Sequence, residues 1–404
     1  MPTLQEVLDH RMVVSHLQPL VSVKKRSVIG LEALARCNQR GANNPDMIAM
    51  FSQAQDARLN DQLDELCLEQ ALQAFNNVPQ RPQDLVLFLN LDATRLLRGL
   101  LSAQSISKAV ELAGLKPQDV VLEFSDRAAE KAPGLRAFAE TLQSFGFSVA
   151  LDDVDGSPGS LQRLAQLKPD LVKADTALVH ALGQSPVQQE ILGALCALSR
   201  RQGALIVAEG VETEDDAALC LEMGADLLQG FHYGRPVEAD RVSLSLAQAS
   251  AQRSAERLKA NLTSRQRTRQ REDERHLQLL HRIRTALEGS ETAGLGQVLE
   301  GFVNAVASLE CLYVLDAKGR QVTPTVVWRH QRESQRSRLF APAREGADHS
   351  LKDYFLGLTL QEKDLYLSEP YVSLATGNLC RTLTVRFKPL HGEDHVLCMD
   401  IRSA

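Results

Sequence analysis

Between residues 17 and 235 the chain repeats one pattern: a short apolar run, a polar break, then in most cases a stretch with helical periodicity. The runs occupy residues 17–23, 28–34, 85–91, 120–124, 147–153, 171–175, 204–210 and 226–231, and the helical patterns include 47–75, 94–113, 128–145, 187–202 and 214–223. Such alternation specifies an α/β domain with a mainly parallel sheet, and eight strands specify a closed barrel. The first link is the exception. Only residues 24–27 separate the first run from the second, whereas a parallel crossover needs about a dozen residues or more. The expected fold is therefore a modified TIM-type (β/α)8 barrel with an antiparallel first strand. The carboxyl ends of strands two to eight then face one mouth, where barrels place their chemistry.

Each run carries or adjoins a polar residue that an apolar segment should not hold: Gln18, Glu32, Asn90, Glu123, Asp152 with Asp153, Lys173, Glu209 and Gln229. Ionised side chains are rarely buried without a partner, so charges recurring at strand ends imply a shared polar centre. Its candidate metal ligands are the five carboxylates and the amide of Asn90, without His or Cys, a donor set that suits Mg²⁺ or Mn²⁺. Charge compensation calls for two ions. At 4 Å and an effective dielectric of about 20 each charge pair is worth about 4 kcal/mol, which excludes an uncompensated cluster. Two dications with Lys173 neutralise the five carboxylates. Two such ions about 3.5–4 Å apart can share and deliver a water for in-line displacement at phosphorus. On this expectation Asp152 bridges, Glu32, Asn90 and Glu123 complete one ion, and Asp153 and Glu209 complete the other. Lys173 orients the water or neutralises developing charge, so Lys173, Glu32 and Glu209 are the candidate catalytic residues. Arg36 can hold a phosphate oxygen. For Gln18, Arg36, Glu212 and Gln229, substrate contact and hydrogen bonding to the ligand carboxylates stay open alternatives. His232 reads as a packed or surface imidazole rather than a base.

Glu32-Ala33-Leu34, set between Gln18-Pro19-Leu20 and Arg36, resembles the signature of the EAL domain, the bacterial cyclic di-GMP phosphodiesterase. Asn90, Glu123, Asp152-Asp153, Lys173-Ala174-Asp175, Ala208-Glu209-Gly210-Val211-Glu212 and Gln229-Gly230-Phe231 with Arg235-Pro236 are similar to its remaining motifs, in order, over about residues 4–245. The resemblance implies hydrolysis of cyclic di-GMP to linear pGpG at a two-metal site. It also marks two departures. After the paired aspartates the family continues Phe-Gly-Thr-Gly-Tyr-Ser-Ser, a loop that supports metal binding and dimer contact, where this chain has Val154-Asp155-Gly156-Ser157-Pro158-Gly159-Ser160. Three residues after Glu123 the family places a second Glu that anchors this loop, where this chain has Asp126. A shift of about 1 Å at a catalytic site can lower a rate about 10²-fold. The alternative function is thus a weak or inactive EAL receptor that signals by binding cyclic di-GMP.

Three segments are expected: the barrel at 1–245, a helical linker at 246–290 and a small α+β module at 291–404. Residues 237–288 hold neither Pro nor Gly, and 263–275 hold no apolar residue. Over 253–284 basic residues outnumber acids ten to four, yet the interleaved aromatics of a nucleic-acid surface are missing, so a solvated linker helix able to pair in a homodimer is the better reading. Leu277, Leu280, Ile283 and Leu287 return at helical spacing. Beyond them, strands are expected at 311–315, 321–328, 366–374, 379–387 and 395–401 around polar turns at 316–319 and 375–378. This module resembles PAS and Cache-like sensor domains, through Tyr313-Val314-Leu315-Asp316, Lys352-Asp353-Tyr354-Phe355 and Ser368-Glu369-Pro370-Tyr371-Val372-Ser373. That resemblance implies a small-molecule ligand whose identity no residue specifies. Trp328 and the module's tyrosines read as core rather than a ligand cage. No run approaches the roughly 20 apolar residues of a membrane span, so a cytoplasmic location is expected. Seven scattered cysteines without CxxC spacing argue against a disulfide framework or a zinc site.

Overall fold

Strand β1 (Val13–Ser22) turns back through residues 23–26, with Arg26 left-handed at φ 56°, into β2 (Ser27–Cys37), and the two pair antiparallel. This is a computed structural model; it describes residues 3–37, 57–93, 102–126, 134–327, 339–361 and 363–403. Strands β3 (Val86–Asn90), β4 (Val120–Ser125), β5 (Ser148–Val154), β6 (Leu171–Ala174), β7 (Leu205–Ala208) and β8 (Leu227–Gln229) follow in parallel. The sheet closes in sequence order when β8 pairs antiparallel with β1, Leu20 opposite Gln229. The mixed barrel expected from the run spacing is the fold observed.

The barrel has two layers because strand side chains alternate. One set, including Leu31, Leu87, Leu122, Phe124, Val149, Leu151, Val172, Ile206 and Leu228, packs outward against the helices. The other set fills the barrel with Leu20, Phe88, Val121, Ala150, Leu171, Val207 and Leu227. Gly30 makes room for this layer: a Cβ there would meet the Phe88 ring and the Val86 carbonyl oxygen at 2.6 Å. Period two then fixes the position of the polar residues. Asn90, Glu123, Asp152, Lys173, Glu209 and Gln229 each follow an interior apolar residue by two, and Gln18 precedes Leu20 by two on the antiparallel strand. They form the next layer towards the mouth.

The helices start and stop where caps dictate. Ser185 caps Pro186–Gln202, with Pro186 at the first position and left-handed Gly203 at its end. Thr213 and Asp216 form a capping box on Glu214–Met223, which ends at Gly224. These satisfy backbone groups that a helix end leaves unpaired. The described parts of the three earlier predicted helices are Ala57–Asn76, Ala103–Leu112 and Leu135–Phe145. Residues 47–56, 94–101 and 128–133 of those predictions lie outside the described residues.

The chain divides into compact units Met1–Thr263 and Ser264–Ala404. One helix, Leu244–Glu288, contributes to both. Its first turns bury Ala247 and Ala251 in the first unit, and its last turns bury Leu279, Leu280, Ile283 and Leu287 in the second. In the second unit β9 (Leu309–Asp316), β10 (Val326–Val327), β11 (Leu365–Leu367), β12 (Tyr371–Val372), β13 (Leu379–Phe387) and β14 (His395–Arg402) form an antiparallel sheet ordered β10-β9-β14-β13-β11, with β12 on β13. The strand predicted at 366–374 is two strands instead. Pro370 has no N–H to give the ladder, and the Ser368 hydroxyl turns locally to the Glu369 carbonyl. One sheet face packs on Leu295–Phe302 and the end of the long helix, and the other packs on Asp353–Thr359. Trp328 lies outside the described residues.

Candidate active site

At the barrel mouth four carboxylates surround one ammonium. Lys173 on β6 is 1% exposed. Its Nζ lies 2.6 Å from Glu209 Oε1, 3.0 Å from Glu123 Oε2, 3.1 Å from Glu32 Oε2 and 3.7 Å from Asp152 Oδ1. Glu32 is fixed from three sides, because Gln229 Nε2 donates to it at 2.6 Å and Asn90 Nδ2 at 2.9 Å besides Lys173. Gln229 Nε2 also approaches Gln18 Oε1 at 3.3 Å, and Gln18 Nε2 donates to the Gly234 carbonyl at 3.1 Å. The β1–β2 register, which sets Gln18 opposite Glu32, and the β1–β8 pairing bring these residues together.

Crowding sets the protonation of the cluster. Burial alone would lower the Lys173 pKa, but the summed field of Glu123, Glu209, Glu32 and Asp152 outweighs it and holds the ammonium charged well above its usual range. Burial pushes Glu123 well above the carboxylate range, with Glu32, Asp152 and Glu209 adding to the rise and Lys173 only partly opposing it. Burial lifts Glu209 to about 8 and Asp152 to about 6. Glu32 goes the other way: burial raises it, but Lys173, Gln229 and Asn90 together bring it below its ordinary value. One ammonium therefore does not neutralise this cluster.

Asp152 and Asp153 are neighbours, and in a regular strand neighbours face opposite sides. Here the register between β5 and β6 slips between Leu151 and Val154, and Asp153 is left-handed at φ 59°. Such a bulge re-aims side chains next to active sites. Asp153 accepts from Ser125 Oγ at 3.2 Å, while its own N–H donates to Asp152 Oδ1 at 2.8 Å.

The donor set fits divalent ions. All candidate ligands are oxygen donors, several carboxylates carry raised pKa values that a dication would reverse, and buried Glu123 Oε1 and Gln229 Oε1 have no hydrogen-bond partner. Among the described residues no three carboxylates, imidazoles or thiols stand ready around a single ion position. The carboxylates converge on Lys173 Nζ, so ion binding would require their side chains to turn from the ammonium.

The remaining predicted residues lie apart from this contact set. Arg36 Nη1 donates to the Ala35 carbonyl at 2.8 Å, and Glu212 is exposed, with its N–H on Asp216 Oδ2 at 3.3 Å. His232 packs edge-on against Tyr233 and reaches Ser254 Oγ at 3.3 Å. Asp126 is buried, pairs with Arg163 through both carboxylate oxygens, and lies 2.7 Å from Ser160 Oγ. Sequence reasoning passed over Ser125 and Arg163. Ser125 is marked only by its place between Glu123 and Asp126; Arg163 carries no local signal, since its partner is 37 residues away. All seven cysteines are free, and among the described residues no helix is long and apolar enough to cross a membrane.

A closed barrel with an antiparallel first strand and a carboxylate ring about a lysine defines a class of domain. The EAL domain model matches residues 2–236, and the chain belongs to that family. MucR of Pseudomonas aeruginosa, a bifunctional diguanylate cyclase/cyclic di-GMP phosphodiesterase, is 29% identical over 248 residues, covering 60% of this chain and 36% of MucR. The chain spans about a third of the length of the first curated relatives it matches. YkuI of Bacillus subtilis, an uncharacterised EAL-domain containing protein, is 22% identical over 383 residues, covering 92% of this chain and 91% of YkuI. The YkuI crystal structure in complex with substrate c-di-GMP and calcium covers 100% of both chains, with a TM-score of 0.79 at 21% identity, so the whole fold, the second unit included, has a solved counterpart. The manganese/cyclic di-GMP complex of Klebsiella pneumoniae BlrP1 at pH 6 matches 57% of each chain, with a TM-score of 0.51 at 26% identity.

Proposed function

We propose that the chain hydrolyses cyclic di-GMP to linear pGpG with two Mg²⁺ or Mn²⁺ ions, under the control of a small-molecule ligand of the second unit. The observation that carries this reading is the oxygen-donor ring itself: Glu32, Glu123, Asp152 and Glu209 crowd one ammonium with negative charge to spare. Glu32, Asn90, Glu123, Asp152, Asp153 and Glu209 would hold the ions, which when bound supply charge neutralisation at phosphorus and an acidified water. Gln229 and Asn90 hold Glu32 in place. Lys173, already among the ligand carboxylates, stays charged and stabilises negative charge that develops on the phosphate. Gln18 and Gln229 border the ring and Arg36 lies farther along β2, so the two glutamines support the ligands, and Arg36 and Glu212 are left for substrate contact.

A receptor that binds cyclic di-GMP without turnover is the second reading, and the observation that favours it is the loop after Asp153, where Val154 to Ser160 departs from the family sequence. The separating experiment incubates the full chain with cyclic di-GMP and Mg²⁺ or Mn²⁺, follows linear product, and includes Glu32→Ala. Binding without product in either metal sinks the enzyme reading. Turnover that is lost in Glu32→Ala supports it.

A further inference from the structure

The segment after the paired aspartates is held at two points by consecutive residues at the end of β4. Ser125 Oγ donates to Asp153 Oδ2 at 3.2 Å. Beside it, Asp126 accepts from both Nε and Nη2 of Arg163, in the helix Pro158–Leu167, a two-pronged pairing with the carboxylate side chain 4% exposed. Ser160 Oγ lies 2.7 Å from Asp126 Oδ2 and 2.7 Å from Asp155 Oδ1. A hydroxyl has one proton and serves one carboxylate at a time. Asp155 has a second donor in the Ser157 N–H at 2.9 Å, so the contact that satisfies Asp126 whichever way the hydroxyl points is Arg163. The guanidinium lies over Gly159, where a Cβ would stand 3.0 Å from Nη1. Glycine at 159 leaves space for it. The segment held in this way begins at Asp153, whose left-handed backbone (φ 59°) costs energy and persists only where its surroundings over-determine it.

We infer that Arg163 is a positioning residue for the barrel-mouth carboxylates: by closing on Asp126 it fixes residues 153–160, and with them the bulge that presents Asp152 and Asp153 together. The inference rests on the proposed function only for what those carboxylates bind. Arg163 acts on these carboxylates through Asp126 and the backbone.

The test compares the full-length chain with Arg163→Ala, Arg163→Lys and Gly159→Ala by thermal melting, by hydrogen exchange over residues 153–160, and by titration calorimetry with Mn²⁺ alone. Arg163→Ala should speed exchange over 153–160 about tenfold while β1 to β3 exchange as before, and weaken Mn²⁺ binding about tenfold, the lower end of what losing a support behind a metal ligand costs. Arg163→Lys keeps the charge but not the planar fork and should fall between. Gly159→Ala should change both readouts in the same direction by displacing the guanidinium. If Arg163→Ala does not fold, the lysine and Gly159→Ala variants carry the comparison. Exchange over 153–160 at the wild-type rate overturns the inference, as does fast exchange with undiminished Mn²⁺ affinity. Should the wild-type chain bind no Mn²⁺, the metal reading fails on its own, and the exchange result alone decides the role of Arg163.

Discussion

Replacing Lys173 by methionine removes the cation that four carboxylates share while keeping the apolar stem. Nζ lies between 2.6 and 3.7 Å from those carboxylates, and at an effective dielectric of about 20 one full charge pair at such distances is worth about 4–6 kcal/mol. Not all four count in full. Burial pushes Glu123 well above the carboxylate range and lifts Glu209 to about 8, which weakens their share of the cation and leaves Glu32 and Asp152 as its main ionised partners. Once the ammonium is gone, Asp152 also takes up a proton and limits the loss. Removing one side of a buried charge pair costs about 3–5 kcal/mol. In a unit of this size 1 kcal/mol moves the melting temperature by about 2–4 °C, so Lys173→Met should melt roughly 6–20 °C below wild type in EDTA. The gap should be wider at pH 8 than at pH 6, because at the lower pH Glu209, at about 8, is almost wholly protonated and Asp152, at about 6, is about half protonated, so both need the cation less. Under the proposed function Mn²⁺ narrows the gap by supplying positive charge, while turnover falls by about 10²-fold or more. Calorimetric melts of both proteins at pH 6 and pH 8, with EDTA and with Mn²⁺, give the stability gaps, and linear product formed from cyclic di-GMP with Mn²⁺ gives the turnover. Melting within about 2 °C of wild type in EDTA at pH 8 would refute the claim that Lys173 holds the ring together.

Two further perturbations address the second unit and the end of β8. Asp400 is buried in the second unit, and burial lifts its pKa from 3.8 to about 6 even though Thr382, Cys311, Tyr371 and Tyr313 donate to it. The folded chain therefore keeps this proton to a higher pH than the unfolded chain. The second unit should lose about 3 kcal/mol as pH rises from about 4 to about 6, with no further loss above. Asp400→Asn should flatten that part of the profile, as read from denaturant melts at several pH values; parallel profiles for the two proteins would contradict it. Gly230 follows Gln229 at φ 158°, and a Cβ there would stand 2.1 Å from the Val211 carbonyl oxygen and 2.3 Å from its nitrogen. Both are backbone atoms that cannot swing away, so Gly230→Ala should cost at least about 2 kcal/mol in thermal melts, and an unchanged melting temperature would argue that β8 is free to shift.

The barrel was legible because its determinants are local. Four residues between the first two runs forbid a parallel crossover, and Gln18, Asn90, Glu123, Asp152, Lys173, Glu209 and Gln229 each stand two places from an interior apolar residue. Gln18 and Gln229 meet only because β8 closes on β1, yet even that follows once eight strands form a ring. What could not be read is what long-range pairing alone determines. The Arg163 contact with Asp126 and the Ser125 contact with Asp153 join segments 37 and 28 residues apart, and neither member of either pair shows its partner in the sequence around it. In the second unit the apolar composition of 366–374 suggested one strand, while Pro370 and the local Ser368 hydrogen bond divide it.

The paired aspartates sharpen that distinction. Their adjacency in sequence argues for a shared site only if something overrides strand alternation, since neighbouring side chains in a regular strand diverge. The override is the slip between Leu151 and Val154 with Asp153 left-handed, a backbone feature that no side-chain pattern announces. It has a consequence for the loop that departs from the family sequence. Because the loop grows directly out of the bulge, its anchoring and the placement of Asp153 are one mechanical problem, and a changed loop sequence reaches the carboxylate ring through the backbone. Asp126 is one methylene shorter than the family's glutamate, but it is met by a guanidinium lying over a residue without a side chain, Gly159. The shortened anchor and the glycine are thus parts of one arrangement, and under the proposed function turnover should follow how firmly that arrangement holds.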